Sequence, residues 1–150
     1  MSDRYTSMIK EFFQVFEALN QYVFDSFGEM ATWETRLVRL DINQGGKEQS
    51  YDAEQVATML NFSKDNIQSF LVVNSFLSNN LYDLIGNRDY EDWGTDGQRL
   101  QVKYSDRTVE SFDAEQIAPL MGRRIYFEWT FESLQRTYDD MMAISQRRIA

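Results

Sequence analysis

The feature that most constrains this chain is an echo within it. Ser50-Tyr51-Asp52-Ala53-Glu54-Gln55-Val56-Ala57 returns as Ser111-Phe112-Asp113-Ala114-Glu115-Gln116-Ile117-Ala118, with six of eight positions identical and the other two conservative. The flanks follow in the same order. Ile9, Phe12, Phe13, Val15 and Leu19 align with Ile67, Phe70, Leu71, Val73 and Leu77, and both runs reach a glycine, Gly28 and Gly86. Trp33 then meets Trp93, and Val38, Leu40, Ile42 meet Leu100, Val102, Tyr104. A shared order at a nearly constant offset reads as a tandem repeat covering about 6–60 and 64–121, followed by a tail over 123–149. One fold unit used twice has to place two copies of every core stripe in a single domain spanning 1–150.

Each unit reads as helix, hairpin, helix. Ile9, Phe12, Phe13, Phe16, Leu19, Val23 and Phe27 recur at the three-and-four spacing of a buried helical stripe, and the glycine after it supplies a left-handed stop. Val38-Arg39-Leu40-Asp41-Ile42 alternates with period two, and Gln44-Gly45-Gly46-Lys47 can turn the chain back through Tyr51. Its copy runs 100–104, turns at Ser105-Asp106-Arg107 and returns to Phe112. Two hairpins joined about a pseudo-twofold axis would give one four-stranded antiparallel sheet under helices, extended by Ile125 to Trp129. The expected class is therefore α+β, with a C-terminal helix.

The repeated Asp-Ala-Glu-Gln invites a catalytic or metal-binding reading, but helix initiation accounts for all of it. Asp52 and Asp113 stand at N-cap positions, Gln55 and Gln116 complete a capping box, and Tyr51/Val56 and Phe112/Ile117 have hydrophobic-staple spacing. The device returns without acidic residues at Phe62-Ser63 with Ile67 and at Trp129-Thr130 with Leu134.

Composition narrows the chemistry. With no cysteine and no histidine, disulfides, thiolate or imidazole metal sites and every Ser-His or Cys-His arrangement are excluded. No Walker loop, dinucleotide-binding glycine fingerprint or nucleophile elbow is present. No catalytic, cofactor-binding or metal-ligating residue is assigned, and no cofactor is expected. The net charge of -9 opposes direct binding to nucleic acid or to an anionic membrane. It is uneven: 1–122 carry twenty acidic and ten basic side chains, 123–150 four and five. Arg123, Arg124, Arg136, Arg147 and Arg148 thus form a local basic patch or the solvated ends of the tail. An N-terminus without a charged-then-apolar leader, and no apolar run long enough to span a bilayer, lead to the expectation of a cytoplasmic protein.

The polar segment from Asn87 to Gly97 is the candidate contact. It combines Asp89, Glu91, Asp92 and Asp96 with Tyr90 and Trp93, aromatic residues of the kind that dominate protein interfaces. An EF-hand reading fails, because Arg88 and Trp93 occupy unsuitable positions and no closing glutamate follows. A packed Trp93 mirroring Trp33 is the competing account. In the tail, Phe131, Leu134, Tyr138, Met141 and Met142 share a helical face suited to core packing or to docking a partner or second copy. The expected function is a non-catalytic, protein-binding regulator or inhibitor whose acidic surface engages a basic patch on a partner, such as a nucleic-acid-processing enzyme with a basic groove. A small acidic chaperone or assembly factor and a carboxylate-dependent enzyme are the alternatives, as a monomer or a homodimer.

Overall fold

A computed structural model describes residues 3–123 and 129–149. The architecture is α+β. Helix α1 (Asp3–Phe27) leads into strands β1 (Thr32–Arg36), β2 (Arg39–Gln44) and β3 (Lys47–Tyr51) and then helix α2 (Ala53–Leu60). The same order follows in α3 (Lys64–Ile85), β4 (Tyr90–Thr95), β5 (Leu100–Tyr104), β6 (Val109–Phe112) and α4 (Ala114–Gly122), with α5 (Phe131–Ile149) last. Three strands, not two, separate the helices of each half.

The expected single four-stranded sheet does not form. The strands make two separate antiparallel sheets, ordered β1-β2-β3 and β4-β5-β6. Strands β1 and β4 pair with β2 and β5, so each hairpin gains its third strand from its own half. Segment 90–95, read from sequence as part of a polar connection, is strand β4. A strand over 125–129 lies outside the described residues apart from Trp129, which is buried.

Cross-strand register also corrects the alignment of the hairpins. Trp33 pairs with Ile42 and Trp93 with Val102, while Leu40 pairs with Tyr51 and Leu100 with Phe112. Leu40 therefore corresponds to Leu100 and Ile42 to Val102, two residues away from the match of Ile42 with Tyr104. A slip of two keeps every side chain on its own face, so alternation alone cannot detect it. Val38 is buried, but it sits in the two-residue β1–β2 loop where Leu37 takes a left-handed φ of 56°.

The capping hydrogen bonds form at all four helix starts, those of α2, α3, α4 and α5. Asp52 and Asp113 each accept the backbone N–H three residues on, at 2.9 and 3.0 Å, and Gln55 and Gln116 accept the cap's own N–H at 2.9 Å. Ser63 caps α3 through Asn66 N–H, and Thr130 caps α5 through Ser133 N–H. Gly28 and Gly86 follow α1 and α3 with φ of 99° and 73°.

Packing crosses between the halves. Helices α1 and α3 form the central pair, with Phe12 stacked on Phe70 at 5.4 Å. Helix α1 then packs on α4 and α3 on α2, while β1 leans on α3 and β4 on α1. The core is one continuous cluster drawn from both halves, including Ile9, Phe12, Leu19, Ile67, Phe70, Phe76, Leu40 and Val102. Helix α5 joins it with Leu134, and Phe131 and Tyr138 pack beside it. Met141, Met142 and Ile144, one to two turns further on, are exposed, so the apolar stripe of the tail divides into a packed and an open part. No described helix is long and apolar enough to cross a membrane.

Candidate functional site

The crossed packing brings β1 and β4 to the two sides of one cleft of about 640 Å³. Helix α1 supplies Phe16 and Asn20 and helix α3 supplies Asn74 and Ser78, each pair one turn apart and so on one helix face. From the strands come Trp33 and Trp93, each on the side of its strand that also faces the buried Ile42 or Val102. Both indoles meet the same ring: Phe16 lies edge-on to Trp33 at 5.0 Å and tilted to Trp93 at 5.9 Å.

Polar bonds fix the first-half wall. Trp33 Nε1 donates to Asn20 Oδ1 at 2.7 Å, and Asn74 Nδ2 donates to Thr35 Oγ1 at 2.7 Å, tying α3 to β1. Asn74 is only 5% exposed, and its Oδ1 has no hydrogen-bond partner among the described residues. Glu34 and Asp92 belong to the same lining and are exposed, and among the described residues neither is in an ion pair.

Of the six residues singled out from sequence, two line the cleft and four do not. Asp92 and Trp93 line the cleft. Tyr90 packs edge-on to Tyr82 at 5.6 Å, away from it. Glu91 is exposed and lies 3.7 Å from Lys103 on β5. Asp89 is exposed just before β4, its backbone carbonyl accepting Ser105 N–H. Asp96 holds the β4–β5 turn: its Oδ1 accepts the backbone N–H of Gln98 and Arg99 at 2.9 and 2.8 Å. Those two bonds, with Arg99 nearby, lower its pKa below the ordinary carboxylate value.

Phe16, Asn20, Trp33, Thr35 and Asn74 also line the cleft; the sequence marked Phe16 as core and Trp33 as the counterpart of Trp93, and assigned none of the five to a site. The aligned stripes did hold a signal, since Phe16 and Asn74 occupy matching positions and an amide in place of a phenylalanine breaks the apolar pattern. Beside the cleft, the other face of the first sheet carries Asp41, 3% exposed and bonded to Arg36 Nε at 3.1 Å. That bond raises the Arg36 pKa, and Tyr138 of α5 lies beneath the guanidinium at 5.9 Å.

Among the described residues, no group of three or more acidic side chains is arranged to hold a metal ion. The cleft offers amides, hydroxyls, aromatic faces and two rim carboxylates, which is equipment for recognising a polar chain. Comparison with protein-family models, with curated proteins and with solved structures finds no match for this chain.

Proposed function

We propose that this chain is a non-catalytic, protein-binding regulator or inhibitor built from two fused copies of one unit, and that it engages a basic patch of its partner through the acidic face around β4. The observation that carries the reading is the juxtaposition of exposed Glu91 and Asp92 with the half-buried aromatic residues Tyr90 and Trp93 on β4, with exposed Asp89 immediately before it. Aromatic contacts supply short-range hold, and carboxylates supply long-range attraction to a cationic surface.

Affinity capture with the immobilised protein, followed by kinetics on the captured partner, tests this. Reversing Glu91 and Asp92 to lysine should slow association and weaken its salt dependence, because steering acts before contact. Tyr90→Ala should mainly hasten dissociation. Retention of the partner by both variants, with the fold intact by circular dichroism, would reject the β4 face.

The open apolar end of α5 supports a second reading, a chaperone or assembly factor that shields apolar client segments through Met141, Met142 and Ile144. Under that reading, charge reversal on β4 leaves client binding intact and Met141→Ser with Met142→Ser abolishes it.

A further inference from the structure

Both strands bordering the cleft are sheet edges. In the orders β1-β2-β3 and β4-β5-β6, β1 and β4 each have one hydrogen-bonded neighbour, and among the described residues nothing pairs with the opposite side of either. Unpaired edges are templates for another strand, and proteins ordinarily blunt them with lysine, proline or a covering segment. Here neither strand carries lysine or proline, but β1 has Glu34 and Arg36, and β4 has Glu91, Asp92 and a register shift between Tyr90 and Asp92, so the regular open edge of β4 is Asp92–Thr95 and the charges on both strands limit which segments can pair there.

We infer that the cleft receives an extended segment of the partner protein as an added β-strand, running between β1 and β4 and alternating apolar with basic residues. The inference rests on the protein-binding reading above and specifies how the partner is held. A strand inserted between two edges needs a gap of roughly 10 Å, twice the inter-strand spacing. Trp33 and Trp93, one from each edge strand, both touch the ring of Phe16, and residues of both strands line the same cleft.

The two faces of the inserted strand meet different chemistry. Its apolar side chains face Trp33, Trp93 and Phe16. The intervening side chains face the side of the sheets where Glu34 and Asp92 project, two carboxylates without ion-pair partners among the described residues. On that side Arg36 is bonded to Asp41 and Lys103, which stands opposite Asp92, lies 3.7 Å from Glu91, so the carboxylates left over are Glu34 and Asp92; they favour lysine or arginine at the positions that meet them, and pairing to the strand backbones supplies a hold that does not depend on sequence.

The test uses the full chain and a library of eight-residue peptides with alternating apolar and varied positions. Peptides with lysine or arginine at the varied positions should be enriched at least tenfold over those with glutamate. Methylating alternate backbone nitrogens of the best peptide, which removes strand pairing without changing its charge, should weaken it at least tenfold. Bound peptide should slow amide exchange in 31–35 and 92–95, and Glu34→Lys, an exposed change, should reverse the preference for basic residues.

Absence of basic enrichment, equal binding by the methylated peptide, or protection confined to α5 would each overturn strand addition. Protection of both edges that grows with protein concentration in the absence of peptide would overturn it in favour of a second copy of this chain. Asp92 serves both readings, but Glu91 lies outside the cleft lining, so loss of the partner on Glu91→Lys alone reports on the broader reading whatever the peptides do, and the two failures are separable.

Discussion

The two halves reach the same succession of elements by different local means. In the first, β1 and β2 are joined by two residues, Leu37 and Val38, with leucine in the left-handed region; in the second, β4 and β5 are joined by Asp96 to Arg99, held by a carboxylate and by Gly97 at φ 92°. The β2–β3 turn uses Gly45 and Gly46, both at positive φ, whereas the β5–β6 turn places Arg107 at 73°. Helix starts are the reverse case, since both capping boxes match atom for atom. A turn must only return the chain, and many residue combinations do so. A helix start must satisfy particular N–H groups, and few combinations do.

The centre of the cleft should show the largest asymmetry. Phe16 and Asn74 hold matching positions, but one is a buried ring touching both tryptophans and the other a buried amide with one bond. Phe16→Ala should cost about 3–5 kcal/mol, and Asn74→Ala about 1 kcal/mol, because a lost hydrogen bond is offset by removal of an unpaired oxygen. Urea denaturation of both variants decides it, and equal losses would break the contrast.

Gly97→Ala comes next. Its Cβ would collide with the Glu17 carboxylate on α1, and the positive φ strains any side chain. A loss of about 2 kcal/mol is expected. Gly45→Ala meets nothing within 4 Å and bears only the backbone cost, about 1 kcal/mol. Adding Glu17→Ala should recover part of the Gly97 loss and none of the Gly45 loss, as thermal melts would show.

The caps should behave alike. Asp52→Ala and Asp113→Ala should each cost about 1 kcal/mol, and a difference above that size would mean one box carries a load beyond starting its helix.

Asp96 should give the smallest effect, visible in acid. Its pKa is lower folded than unfolded, so its stabilisation is complete above the unfolded carboxylate value near 3.8 and is lost as pH falls through the folded value. Asp96→Asn should flatten that part of the acid limb by less than about 1 kcal/mol, measured by denaturation between pH 5 and 2.

Helix positions, stops and caps were legible in the sequence because each rests on neighbours three or four residues apart. Strands β1 and β4 were not. Thr32–Arg36 has no fully buried residue and Tyr90–Thr95 none either, so neither shows the apolar alternation that marked 38–42. Edge strands with one face over a cleft lack the pattern by which strands are recognised. The cleft itself was half legible. Asp92 and Trp93 stood out as a polar and aromatic cluster, whereas Phe16, Asn20 and Asn74 join them only because α1 and α3 pack together across more than fifty residues of chain.

The exchange of partners between halves, α1 with α4 and α3 with α2, has a consequence for how the chain assembles. Neither half encloses its own helices, so neither has an interior to close over until the other arrives, and folding and unfolding should be all-or-none across both sheets. Only Asn61, Phe62 and Ser63 connect α2 to α3, and severing the chain there would turn an intramolecular encounter into a bimolecular one. The pieces 1–61 and 62–150 should then be unstructured apart and regain the native fold on mixing, at a rate set by their concentration.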